Sequence, residues 1–578
     1  MGLMSAALEI GRSAILSYQG AMQVVGTNVA NAGNADYTRQ TAGLAALPGV
    51  PLGHDLRPGA GVALSSLKRN MDESLEARIR VAIADKESAL AEGNWVGRVE
   101  SFFDELTGAG ISSQLTDFFN SLSEVQNNPE DLAIRNVAIT SGATLAGSVR
   151  RLREELLAMG EEVNGEIETL VQAADGLATE IADLNARIVA AEGSGQGQAN
   201  SLRDQRDGKL RDLAELFDVT VRNQPDGSIY VYIGSEALVQ GGISRGLTTE
   251  EVTDGEFVRS LVRFRDTNAP VSVHGGRIEG LLNARENQAY GRIAGVDEFA
   301  AALIGEVNRI HADGQGLVGL RSVTGTYDVM DPTAALNTDE AGLSTFGAPR
   351  NGSFFITVND NATHTPVAYQ INVDLDGVGA DTSLQSLVDD INATVTGVTA
   401  SVTPDNRLQV TASAGYSFTF GHDGAVSRTD TSGVLAAMGM NTFFDGSTAG
   451  DIRVNAALEA DPQLLAAAMT NLTGDGDNAG RLAGVINTSS DLLNGSSVLE
   501  AYNTIANQVA VSGQAARTGM DAASAILSAM QTQKEAISGV SLDEEAIELI
   551  KFERAFQGAA RYLSVVDEMM AEMMNIIR

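Results

Sequence analysis

The sequence contains no cysteine. Disulfides, thiolate metal sites and cysteine nucleophiles are therefore excluded, and the chain is indifferent to the redox state of its surroundings. Aromatics are sparse at 5%, with a single tryptophan, Trp95. Positive charge is scarce too: 39 Lys and Arg stand against 75 Asp and Glu, a net charge of −36. A chain this acidic repels phosphate backbones and anionic lipid, so neither nucleic acid nor a membrane is an expected partner. No run of apolar residues is long enough to predict a transmembrane helix. The first cation is Arg12, with no basic segment before an apolar one, so no ordinary signal peptide is expected.

What is present suffices for real cores. Hydrophobic residues make up 43% and mean hydropathy is −0.02, which excludes global disorder despite the charge. A chain of 578 residues exceeds the size at which single cores stop growing, so several domains are expected. Glycine, at 61 residues, implies many turns and helices packed through small side chains.

The two ends carry the clearest pattern. Met1, Met4, Leu8, Gly11, Ile15, Tyr18, Met22, Val25 and Val29 recur at spacings of three and four. Leu549, Phe552, Phe556, Ala559, Leu563, Val566, Met570, Met573 and Ile577 do the same. This period of about 3.5 predicts coiled-coil seams and an assembly interface at both termini. The C-terminal helix has a capping-box start at Ser541-Leu542-Asp543-Glu544. The acidic run Asp543, Glu544 and Glu545 suits the positive end of its dipole.

Between the seams, residues 31–62 read as loop, and 64–217 as mostly helical. Leu67, Met71, Leu75 and Ile79 step by four, and a long helix from Glu130 to Ala191 is expected to break near Gly160. The period then changes to two: Val219 and Val221, then Ile229, Val231 and Ile233, flank the turn Gln224-Pro225-Asp226-Gly227 and predict a hairpin. Strand-like text continues to about 274, Gln288 to Ala312 is helical, and 350–420 is strand-rich with one helix at Leu384–Ile391. Residues 456–537 are helical again. The fold class expected is α+β and multi-domain. A long helical coiled-coil or bundle core is built from both halves of the chain, with a small β-hairpin piece and an inserted β-rich outer domain. The expected domains are 1–62 with 539–578, a terminal coiled coil disordered in the free subunit; 63–325 with 446–538, a helical core carrying the hairpin piece at 218–275; and 326–445, the β insert.

Catalytic patterns fail on context. The histidines at 54, 274, 311, 364 and 422 are scattered. Gly242-Ile243-Ser244-Arg245-Gly246 matches a nucleophile elbow by letters, but lacks the hydrophobic strand before and the helix after. Gly193, Gly195 and Gly197 follow a helix, where a phosphate cradle needs a strand. Asp374-Leu375-Asp376-Gly377 and Asp475-Gly476-Asp477-Asn478 lack the glutamate of a calcium loop and read as turns. Arg150, Arg151 and Arg153 beside Glu154 and Glu155 read as a solvated helix face. No enzyme, cofactor or metal is expected.

Four blocks carry a resemblance. Asn28-Val29-Ala30-Asn31, followed by Tyr37-Thr38-Arg39-Gln40, resembles the N-terminal signature of bacterial flagellar axial proteins, with Ala35-Asp36 where that family has Pro-Gly. Asn200, Asp204, Arg206 and Asp207, followed by Asp226-Gly227-Ser228 and Leu238-Val239-Gln240-Gly241, is similar to the hook-associated protein 1 branch. Met438-Gly439-Met440-Asn441-Thr442-Phe443-Phe444 resembles a third block, and Ser538 to Glu545 with Ala559-Ala560-Arg561 a fourth, although Glu553-Arg554 replaces a glutamine pair. The resemblance implies an extracellular structural protein at the hook–filament junction, exported by the flagellar type III apparatus. The partners it implies are hook protein, the second junction protein, further copies of the chain, and an export chaperone on the C-terminal segment. Hook or rod protein is the alternative within that class; a secreted enzyme or an adhesin acting through the β insert is the alternative outside it.

Overall fold

The computed structural model describes residues 2–34, 36–49, 59–103, 110–193, 197–420, 429–472 and 474–576. Met1, His54, Gly195, His422 and Ile577 lie outside them, as does the side chain of Met4.

Helix α1 (Gly2–Ala30) leads into an antiparallel ribbon of β1 (Gln40–Ala46) and β2 (Val62–Arg69). Helices α2 (Glu73–Phe103), α3 (Ile111–Asn127), α4 (Leu132–Glu192) and α5 (Asn200–Leu216) follow. A meander of β3 (Val219–Asn223), β4 (Ile229–Ile233), β5 (Glu236–Gln240) and β6 (Ile243–Ser244) forms one sheet; β7 (Leu247–Asp254) and β8 (Phe257–Phe264) form a ribbon. Helix α6 (Gly276–Asn283) passes through a π-helical stretch, Ala284–Tyr290, into α7 (Gly291–His311). Next come β9 (Ser322–Thr324), β10 (Gly352–Asp360), β11 (Thr365–Val373), α8 (Leu384–Thr394), β12 (Val398–Val402), β13 (Leu408–Ala412), β14 (Tyr416–Thr419) and α9 (Val434–Ala437). They build two three-stranded sheets, in the orders β11-β10-β14 and β12-β13-β9. The chain closes with β15 (Phe444–Asp445) paired to β16 (Arg453–Val454), α10 (Ala456–Ala460), α11 (Asp477–Gly484), α12 (Val498–Ser538) and α13 (Leu542–Ile576). The fold is α+β and multi-domain.

Two compact units emerge: Met1–Trp95, Glu162–Ala284 and Ala515–Arg578 form one, and Val96–Glu161 with Arg285–Gln514 the other. Both ends of the chain lie in the first. There, two asparagines on α4 bind strand backbone as a neighbouring strand would. Asn185 donates to the carbonyls of Ile229 (3.1 Å) and Gly241 (2.8 Å) and accepts the Ile229 N–H. Asn164, three heptads earlier, donates to the Val258 carbonyl (2.6 Å) and accepts the Ser260 N–H. The apolar face of the meander follows from strand alternation: Ile229, Val231 and Ile233 are buried.

In the second unit, Phe354, Ile356 and Val358 of β10 share one core with Leu387 and Ile391 of α8 and Val410 of β13. Ser383 caps α8 through a reciprocal bond with Ser386. Phe443 and Phe444 plug into Phe118 at ring separations of 5.2 and 5.7 Å, and Gly142 leaves room for Phe443. Asn308 holds both residues, accepting their N–H groups and donating to the Phe444 carbonyl.

Several sequence expectations need correction. The loop read at 31–62 contains β1, and Leu67 belongs to strand β2 rather than to a helix. The ribbon's polar residues (Thr41, Ser65, Ser66 and Lys68) hide its alternation, while Asp72 starts α2 by accepting the N–H groups of Ser74 and Leu75. Helix α4 runs unbroken through Gly160, whose missing side chain accommodates the Tyr290 ring. Residues 456–537 are interrupted by irregular chain between α10, α11 and α12.

Candidate functional site

The residues of the N-terminal and second resemblance blocks lie in the first unit, together with α13. Asn28, on the last turn of α1, is buried and uses its amide fully. Its Nδ2 donates to the Gln40 carbonyl and to Glu545 Oε2, both at 2.9 Å; its Oδ1 accepts the Gln40 N–H (3.0 Å) and the Tyr37 hydroxyl (2.8 Å). Arg39 donates from Nε to Glu545 (2.7 Å) and pairs with Glu544 (2.9 Å), and its own N–H donates to the Ser538 carbonyl. Glu545 is 1% exposed. Its carboxylate is thus a buried charge satisfied by one cation and one amide, and these join sequence positions 517 residues apart.

The second block extends this clasp. Asn200 donates to the Gln40 side chain, and Arg69 pairs with both Asp204 (2.9 Å) and Asp207 (2.6 Å). Burial alone would lower Arg69, but the two carboxylates outweigh it and raise its pKa. Burial holds Asp204 above the usual carboxylate range despite Arg69. Burial and the charges of Asp204 and Glu545 push Tyr37 up to about 12, so its hydroxyl remains a donor to Asn28. Arg211 reaches Asp36 and buried Glu76, and Lys534 of α12 reaches Glu76 as well. Arg206 faces elsewhere, donating to Asn185 and the Gly227 carbonyl, and so pins the hairpin turn. Asn31 stands outside the clasp and closes α1 through the Thr27 carbonyl.

The predicted seams face one another within a single chain. Helices α1 and α13 pack together, and Leu563 sits against Gly11. Val25 and Val566 are buried; Leu8, Ile15, Tyr18, Met22, Phe552, Phe556, Leu563 and Met570 are half-buried. Val29, Leu549 and Met573 are exposed; on α1 the covered stripe ends on Asn28, one residue before Val29. Both of these polar residues continue the seam spacing, three beyond Val25 and four before Leu549. A buried polar pair at seam positions is the signal that the apolar pattern alone misses. Arg69 and Lys534 had no sequence signal, since each is a lone cation whose partner is distant in the chain.

Elsewhere, Ser244 lies on β6 and is followed by strand β7, so the helix of a nucleophile elbow is missing there. Arg153 is paired to Asp297 at 2.9 Å instead of lying on a solvated face. The Asp475 carboxylate is occupied by the N–H groups of Met469, Thr470 and Asp477. Asp374, Asp376 and Asp381 lie within 4.8 Å of one another on a largely exposed loop. Among the described residues, no helix is long and apolar enough to cross a membrane.

Known proteins similar to this chain are flagellar. Residues 96–325 match the flagellar hook-associated protein FlgK helical domain. Residues 531–576 match the flagellar basal body rod FlgEFG protein C-terminal family, and residues 356–414 the flagellin hook IN motif. The flagellar hook-associated protein 1 of Escherichia coli (strain K12) is 25% identical over 99% of this chain and 100% of its own length. That of Bacillus subtilis (strain 168) is 24% identical over 98% and 97%. A solved structure of the flagellar hook junction protein FlgK from Burkholderia pseudomallei covers 80% of this chain and 100% of that one, at 16% identity and a TM-score of 0.49. The sequence matches run end to end, and by them the chain is similar along its whole length to flagellar hook-associated protein 1 of other bacteria.

Proposed function

We propose that this chain is a structural subunit of the bacterial flagellar axis, sits at the junction between hook and filament, and is required for the filament to assemble. The observation that carries the reading is the outer face of α13. Of 27 exposed large hydrophobic residues in the described chain, nine lie on this one helix, and Ile547, Val565 and Met569 among them share the side away from Glu545 and Leu563. An apolar face that concentrated is built to be covered. The inner stripe already pairs with α1, so the outer one is left for neighbours: hook protein on one side, the second junction protein on the other, and further copies around the axis. A chaperone covers the same C-terminal segment before export to the outside of the cell. The role is structural rather than catalytic.

The pair buries little by itself. Gly11, Ser17, Ala21, Val25 and Asn28 of α1, with Glu545 and Val566 of α13, are its fully covered residues among those described. Two long helices with so little covered surface are marginal in water, so the parts of both helices beyond Gly11 and Leu563 are disordered in the free subunit and order on docking. The test is Val565→Asp, which sets a charge on the outer stripe at a cost of several kcal/mol once it is covered. The free subunit should melt unchanged and still be secreted, but hooks should lack filaments and filament subunits should appear in the medium. Glu572→Gln is the silent control. Normal motility of the Val565→Asp strain would overturn the reading.

A further inference from the structure

We propose that Glu545 is the register lock of the α1–α13 pair and thereby a positioning residue for assembly; this rests on the reading of α13 as an assembly helix. Two contacts fix the pair: Asn28 with Glu545, and Gly11 with Leu563. Between them α1 runs back 17 residues and α13 runs forward 18, so the helices are antiparallel and level. At about 1.5 Å per residue, both span roughly 26 Å.

An apolar seam repeating about every 3.5 residues tolerates a slip of one turn. Leu563 would exchange its place beside Gly11 for one beside Ala7 or Ile15, both on the same half-buried face. The carboxylate does not tolerate the slip. Moved by one turn, about 5.4 Å, Glu545 loses both Arg39 and Asn28 while it stays covered. Arg39 cannot follow, because its N–H is bonded to Ser538 and its carbonyl accepts the Asn70 N–H. The apolar stripe therefore supplies the attraction between the helices, and the clasp sets the height at which the outer face is presented to neighbours. Buried polar groups fix register in coiled coils in this way.

A chain without cysteine makes the test direct. Leu563→Cys is combined in turn with Gly11→Cys, Ala7→Cys and Ile15→Cys in the full-length chain, and disulfide formation is followed under mild oxidation. With Glu545 intact, the Gly11 pairing should win by at least roughly 100-fold, the lower end of the factor implied by leaving a buried charge unpaired. Adding Glu545→Gln should bring the three pairings within a few-fold of one another. The distribution among the three pairings is the readout, because a merely structural role would lower the melting midpoint of Trp95 fluorescence without changing which pairing is preferred. Persistence of the Gly11 preference in Glu545→Gln overturns the lock, as does its absence when Glu545 is intact. The two readings fail separately. If Val565→Asp blocks assembly but the preference survives Glu545→Gln, only the lock falls. If Val565→Asp assembles normally while the preference depends on Glu545, only the assembly reading falls.

Discussion

His311 shows what a single buried side chain adds to the second unit. The Ala466 N–H donates to its Nε2 (3.0 Å), so the proton sits on Nδ1 and is donated to the Asn441 carbonyl (2.7 Å). Burial, helped by the Arg135 charge, pushes its pKa down to about 4. Two residues on, burial pushes Asp313 up to about 6, the Asp430 charge adds to this, and Arg481 opposes it. The signs are opposite. The neutral His311 contributes stability that is full above pH 6.5 and is lost as pH falls toward 4. The protonated Asp313 contributes stability that is full below pH 3.8 and is lost as pH rises through 6. Each shift is worth roughly 3 kcal/mol, so between pH 4 and 6 they largely offset one another. Asp313→Asn removes one of the two. Denaturant unfolding across pH 6.5 to 4 should show that variant losing about 3 kcal/mol more than the parent; parallel curves would refute the compensation. None of this was legible in the sequence, where His311 was one of five scattered histidines. Its partners lie 130 and 155 residues away, and no local pattern encodes them.

At the scale of elements, α4 and its neighbours show why periodicity was read well and interruptions badly. Helix α8, the β3–β4 hairpin and the terminal helices were legible because their apolar spacing is regular. Gly160 was read as a break because glycine lowers helix propensity. It is instead a socket: a side-chain carbon there would stand 2.2 Å from the Tyr290 ring. The π-helical stretch ending at Tyr290 feeds that ring to α4, and Gly291 follows it because a side chain would crowd the Glu286 carbonyl at 3.0 Å. A π turn has no signature in apolar spacing, so this part of the fold was hidden. Gly160→Ala sets the two effects against each other. The propensity gain is about 1 kcal/mol, while overpacking costs about 1–3 kcal/mol. The backbone on both sides is helical and cannot yield, so the variant should be less stable by about 1 kcal/mol. Tyr290→Leu in the same chain should reverse the sign of the Gly160→Ala effect. A double-mutant cycle in denaturant checks this, and additive effects would show that the socket is not what Gly160 is for.

At the scale of the whole molecule, the nested order of helices, strands and helices was readable, and so were the four family blocks, because each block is local in sequence. Their purpose was not readable. Two of them meet at the clasp with the C-terminal block, and the third is the aromatic plug of Phe443 and Phe444 against Phe118. That plug decides where the β insert can be cut. Removing 326–445, the boundaries suggested by sequence, would take Phe443 and Phe444 out of the helical core and leave Asn308 and Gly142 facing empty space. Each large aromatic lost from a core costs about 3–5 kcal/mol, more than a marginal unit can spare. Removing 327–438 instead keeps the plug. The new ends, Thr326 and Gly439, are already joined by a 3.1 Å hydrogen bond from the Thr326 N–H to the Gly439 carbonyl, so they can be linked directly. The shorter deletion leaves the three-residue strand β9 without its partner β13 and uncovers Ala312, Leu320, Val323 and Met440, a smaller loss than the two plug aromatics. Circular dichroism and denaturant unfolding should therefore find a cooperative, helix-rich protein after removal of 327–438, and loss of cooperativity after removal of 326–445. If both deletions unfold alike, the aromatic plug is not what holds the insert's base to the helices.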